Sequence, residues 1–89
     1  MIISMRHMKR KQAGTITAIN ADGELGRRIR DMGLVPGAEI VIQGRAPLYD
    51  PVAVRVMDNV LTLRNNEADY IKVSVTDEKN GDEDGDSNG

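Results

Sequence analysis

The chain has no cysteine, no tryptophan, no phenylalanine and a single histidine, His7. Without cysteine, disulfides and thiolate metal sites are excluded, which fits a reducing compartment. With one histidine in a basic segment read as mobile, no nucleophile–base pair can be named. Aromatic side chains are limited to Tyr49 and Tyr70. That scarcity removes the aromatic groove used for proline-rich peptides and the stacking platforms used for single-stranded nucleic acid. No stretch approaches the ~20 apolar residues of a membrane span. The opening MIISMRHMKRKQ also lacks the apolar core, roughly 7–15 residues long, of a secretory signal. No phosphate-cradling GxxxxGKS or GxxxxGKT loop is present. These absences together argue against an enzyme, and the expected location is cytoplasmic.

Charge divides the chain into unequal parts. Residues 77–89, DEKNGDEDGDSNG, hold no apolar side chain, six of the fourteen acidic groups and one lysine. Such a segment cannot bury enough surface to offset the entropy of ordering and is read as a disordered acidic tail. Its net charge is −5, so the whole-chain value of −2 leaves residues 1–76 at +3. Residues 1–13 are read as a flexible basic arm, and residues 14–76 as the folded domain. The tail's Asp84-Gly-Asp86-Ser-Asn88-Gly89 fits the start of a calcium loop. Such a loop needs a later glutamate and flanking helices, so no metal site is expected there. No other grouping of imidazole and carboxylate residues suggests a metal, and no cofactor is implied.

Within 14–76 the pattern is mainly β. Gly14–Asn20 reads as a first strand, in which Ile19 breaks strict alternation. Asp22 can cap a helix over Asp22–Met32, with Glu24 in its first turn and Arg27, Arg28 and Arg30 further along, as the helix dipole favours. Leu25, Ile29 and Met32 give that helix one apolar face. Gly33 falls where a left-handed residue would end it, with Leu34 folding back on Ile29 in a Schellman stop. Val35-Pro36-Gly37-Ala38 predicts a type II turn, with Gly37 at the positive-φ position. Ile40–Gly44 reads as a strand, and Val52, Val54 and Val56 alternate in another. Asp58-Asn59 is the expected hairpin turn before Leu61 and Leu63. A helical turn near 65–69 precedes a last alternating strand with Ile71, Val73 and Val75. About five short strands around one helix favour a closed or nearly closed small barrel, since closure removes exposed edges.

Four segments in this order, RRIRDMGLVPG (27–37), RAPLYDPVAVRV (45–56), LTLRNNEA (61–68) and IKV (71–73), carry a family resemblance. Residues 14–75 resemble ferrous iron transport protein A, FeoA, a family of small SH3-like barrels. Tyr49 and Asp58-Asn59 stand where the family commonly has glycine. The resemblance implies a cytoplasmic, non-catalytic accessory protein of the FeoB-type membrane ferrous iron transporter, which carries its own GTP-binding domain. The protein would then be peripheral to the membrane only through that transporter. Similar barrels also occur in metal-responsive repressors of the diphtheria toxin type, but thirteen residues before Gly14 are too few for a DNA-reading helix-turn-helix.

The residues expected to meet the partner are Leu34, Pro36, Arg45, Pro47, Leu48, Tyr49 and Asp50, with Arg27 and Arg28 on the helix. Pro47 and Pro51 stiffen the 45–51 loop and so lower the entropy lost on docking. Each has a structural alternative: Leu34 can serve only the helix stop, Leu48 and Tyr49 can cover the loop, and the arginines can be a solvated face. Gly33, Gly37, Asp58 and Asn59 are read as turn devices. Two other functions stay open. One is a nucleic-acid-binding module using Arg6, Lys9, Arg10 and Lys11, although no nucleic acid is the expected outcome. The other is a ferrous iron carrier.

Overall fold

The computed structural model describes residues 1–45 and 50–75. Among these residues, six strands form one antiparallel sheet: β1 (Ile2–Ser4), β2 (Ala13–Ile19), β3 (Glu39–Arg45), β4 (Val52–Val56), β5 (Asn59–Leu63) and β6 (Ile71–Val75). Their order across the sheet is β1-β6-β2-β3-β4-β5, with β1 and β5 at its two edges, so the barrel is not closed. Two helices complete the fold, α1 (Gly23–Asp31) and the four-residue α2 (Asn65–Ala68).

Period-two alternation builds the core as read from the sequence. Ile40 and Ile42 of β3, all three valines of β4, and Ile71, Val73 and Val75 of β6 are buried, while their neighbours face outward. Ile16, Ile29, Leu34 and Leu63 join the same cluster. The irregularity at Ile19 has a cause. The β2–β6 register shifts between Ile16 and Ala18, a bulge that re-phases the strand. Ile19 is thereby packed against the core.

The helix stop forms as the glycine predicts. Gly33 has φ +94, its N–H donates to the Arg30 carbonyl at 2.9 Å, and the Leu34 N–H donates to the Ile29 carbonyl at 3.3 Å. This is the paired bonding of a Schellman motif, and the left-handed φ is one that a β-branched residue cannot adopt without strain. At the other end Asp22 occupies the capping position, yet its side chain makes no capping hydrogen bond. Asp22 and Met32 therefore flank the helix rather than lie in it. The turn at Val35–Ala38 closes with an Ala38 N–H to Val35 carbonyl bond of 3.0 Å and Gly37 at φ +95.

Two expectations are corrected. Residues 1–13 are not a loose arm. β1 pairs with β6 through Ile2↔Ser74, Ile3↔Val73 and Ser4↔Lys72, and the 3₁₀ turn Met5–His7 follows it. Met5 is 0% exposed and Met8 2%, so both thioethers fill the core. The strand count is accordingly six rather than about five. The β4–β5 hairpin also turns one residue earlier than expected, at Met57-Asp58, with Val56 pairing Asn59. Setting Val52 opposite Leu63 and Val54 opposite Leu61 leaves only those two residues for the loop. Met57 accepts φ +55 to make the turn.

Burial separates the methionines energetically. Met5→Ala should lower the unfolding free energy in urea by about 2–4 kcal/mol, as expected for truncating a buried methionine. Met57→Ala, at a side chain 82% exposed, should leave it within about 0.5 kcal/mol. Equal effects from the two substitutions would remove Met5 from the core.

Candidate partner-docking face

The sequence-predicted contact residues fall in different environments. Leu34 is fully buried in the core and unavailable to a partner, because the Schellman turn folds it under α1. Pro47, Leu48 and Tyr49 lie outside the described residues. Pro36 is exposed on its turn, and Arg27 is exposed on α1.

Arg45 and Asp50, expected to meet the partner, both bond within the chain; Arg45 is half-buried, while Asp50 stays exposed. The β3–β4 register shifts between Ile42 and Gly44, and Arg45 then pairs with the inward-facing Val52. Directly opposed residues share a face of the sheet, so this bulge turns Arg45 towards the barrel's interior end. There its guanidinium donates to the carbonyls of Met5 (3.2 Å), Arg6 (2.7 Å) and Met8 (2.9 and 3.1 Å). It also donates to Asn65 Oδ1 at 3.0 Å. The Asp50 carboxylate accepts from the Asn65 backbone N–H at 2.8 Å. This gives the first N–H of α2 a side-chain acceptor. Both ends of the 46–49 segment are thus tied to Asn65.

α2 in turn positions a charged partner for α1. Glu67 Oε1 accepts from the Arg64 N–H at 3.0 Å, the return half of a capping box. Glu67 Oε2 forms an ion pair and hydrogen bond with Arg28. The Glu67 side chain is 16% exposed and the Arg28 side chain 63%. This pair is better shielded than Arg6–Asp69, which spans 4.0 Å between half-exposed groups. An exposed pair of that kind contributes little.

Between the helices lies a cleft of about 670 Å³ lined by Glu24, Leu25, Arg27, Arg28, Asp31, Asn66, Glu67 and Tyr70. Leu25 is partly buried and gives an apolar floor, and Tyr70, 43% exposed, offers a ring and a hydroxyl at the rim. Charges of both signs surround them. That combination of an apolar anchor point with a polar rim is the usual anatomy of a protein-binding site. A second depression of about 740 Å³ crosses the outer face of β2, β3, β4 and β6, over Thr15, Val41, Arg55 and Met57. Its lining holds no aromatic residue.

Sequence reasoning placed Arg27 and Arg28 correctly on an exposed helix but missed that Tyr70 and Glu67 face them. The available signal was modest: Tyr70 is one of two aromatics and sits immediately before a strand. Among the described residues, no three histidine or acidic side chains converge to hold a metal ion.

Arg45→Leu keeps much of the side-chain volume and removes every donor. It should cost about 3 kcal/mol in denaturant unfolding, since three carbonyls lose a charged partner. Amide exchange should accelerate in residues 5–8 and 65–68 together. Acceleration in only one of these segments would show that Arg45 does not join them.

Comparison with known proteins places these features in context. The FeoA domain model matches residues 3–75. A fusion protein of Fe(2+) transport protein A and the Fe(2+) transporter FeoB from Porphyromonas gingivalis is 38% identical over 60 residues. That match covers 67% of this chain and 7% of the fusion protein, so the chain spans a small part of that relative's length. The solution structure of an FeoA-like protein from Clostridium acetobutylicum superposes with a TM-score of 0.82 at 36% identity, covering 91% of this chain and 94% of that one. Iron(II) transport protein A from Clostridium thermocellum gives 0.79 at 36% identity, covering 82% of this chain and 45% of that one.

Proposed function

Since the chain belongs to the FeoA family of SH3-like proteins of ferrous iron transport, we propose that it is a non-catalytic accessory protein that docks on the cytosolic part of an FeoB-type transporter. Docking biases the transporter's transport or GTPase cycle. The observation that carries this reading is the fused relative, in which a stretch 38% identical to this chain shares one polypeptide with FeoB. Fusion keeps two modules at high effective concentration, which is useful only when they work together.

The cleft between α1 and α2 is the docking face in this reading. Tyr70 and Leu25 supply the apolar anchor, and Arg27, exposed and outside the Arg28–Glu67 pair, supplies a charge at the rim. A partner bound there changes the transporter's cycle only through different affinity for its two states. A difference of about 1–3 kcal/mol is sufficient. No helix among the described residues is long and apolar enough to cross a membrane. On this reading the chain meets the bilayer only through the transporter, which also handles the iron.

Titration calorimetry with purified full-length transporter, in each nucleotide state, tests the proposal. Binding should differ between states, and Tyr70→Ala and Arg27→Glu should each weaken it by roughly thirtyfold, the scale of an interface hot spot. Their melting temperatures should stay close to that of the parent. Failure to bind in every state would refute docking, and tight stoichiometric ferrous binding by the chain alone would favour an iron carrier.

A further inference from the structure

Charge is distributed unevenly over the fold. No acidic residue precedes Asp22, whereas Arg6, Lys9, Arg10 and Lys11 all fall in that stretch. Lys9, Arg10 and Lys11 are exposed on the turn entering β2 and form no ion pair with any described residue. α1 differs, because its three arginines share the helix with Glu24 and Asp31, and Arg28 also has Glu67. The helix is locally balanced. The turn is not.

Strand register brings the end of the described chain to this turn. β6 runs antiparallel to β2, and its last residue, Val75, pairs with Gly14. Only Ala13 and Gln12 separate Gly14 from Lys11. Lys11 sits in the preceding turn with φ +71, and three residues of chain at ~3.3 Å each plus ~4.8 Å across to β6 put it no more than about 15 Å from Val75. The terminal amine of Met1 adds a further positive charge there, donating to the Val75 carbonyl at 3.2 Å. α1 lies beyond the far end of the same strand pair, where Ile71 meets Ile19. Residues 76–89 lie outside the described residues and carry Asp77, Glu78, Asp82, Glu83, Asp84 and Asp86. Fully extended, such a segment can reach about 45 Å, so the basic turn is well within range.

We propose that the Lys9–Lys11 turn is the docking surface for this chain's own acidic tail, residues 77–89. The tail has no apolar side chain, so a flat basic turn suits it and the apolar-floored helix cleft does not. A tether this short holds the acidic groups at millimolar effective concentration, which makes weak pairings populated. The occupied turn is masked from other polyanions, and so the +3 charge of the body does not become non-specific affinity.

The absence of native cysteine permits one nitroxide label, at Ser87→Cys, in the full chain. Paramagnetic broadening of amide resonances should centre on residues 9–12. It should fall by more than half in about 1 M NaCl, where the screening length is ~3 Å. The full-length Lys9→Gln/Arg10→Gln/Lys11→Gln variant should lose it similarly while keeping the core resonances of the parent. Broadening centred on residues 27–30, or spread evenly over the surface, would overturn the proposal. Equal broadening of residues 9–12 in isotope-labelled protein mixed with a separate spin-labelled chain would also overturn it, because the occupant would be a second copy's tail.

Discussion

A guanidinium turned towards a protein interior must find acceptors or cost several kcal/mol, and Arg45 is in that position. The bulge between Ile42 and Gly44 puts it on the face of Val52, and three carbonyls of the N-terminal turn meet it there. The dependence runs both ways. Within the 3₁₀ turn, among the described residues, only the Met5 carbonyl has a backbone partner, the Met8 N–H at 3.0 Å, so the Arg6 and Met8 carbonyls rely on the guanidinium that they in turn solvate. With that turn fixed, Met5 and Met8 are committed to the core. The fourth partner, Asn65, carries the same constraint into α2, and Glu67 then stands where Arg28 can pair with it. The shape of the helix cleft therefore depends on a residue that lines none of it.

Much of the fold was legible because its signals are local. Alternation in VAVRV and IKVSV, and the glycines of MGLVPG, state their structural meaning within a few residues. The strands, the helix and both glycine turns consequently fall within a residue or so of where the sequence puts them. The N-terminal segment was not legible in this way. MIISMRHM has no strand or helix period, and what orders it is pairing with β6, some seventy residues later. Its basic residues pointed to an arm, yet they project from a turn whose methionines are buried. The hairpin was misplaced for a similar reason. Asp and Asn are the better local turn formers, but the cross-strand register of Val52 and Val54 outweighed that preference and put Met57 in an unusual dihedral.

The candidate site was harder to read than the fold. Exposed-looking polar residues in a proline-bracketed loop suggest contact with a partner, and the sequence does not reveal a bulge. Without the phase shift after Ile42, Arg45 would face solvent; with it, Arg45 reaches Asn65 Oδ1, beside the Asp50 carboxylate that accepts from the Asn65 N–H. Leu34 shows the same limit, since one residue satisfies the helix stop and fills the core at once. Arg27 and Arg28 were recognisable from helix periodicity alone, whereas their pairing across to α2 required the tertiary structure.

The geometry also constrains how such a barrel can regulate anything. The two walls of the cleft are fixed by independent means: α1 by its Schellman stop and the burial of Ile29 and Leu34, α2 by the Arg45–Asn65 and Asp50–Asn65 bonds. The Arg28–Glu67 pair then joins one wall to the other. Walls tied in this way lose little conformational entropy on binding, and under the proposed reading the change of shape belongs to the partner. Any difference in affinity between two states of a partner must then arise from the partner's own rearrangement, which matches or mismatches a fixed template. On the proposed reading, a protein with a changing conformational cycle is the kind of partner that such a template can distinguish state from state.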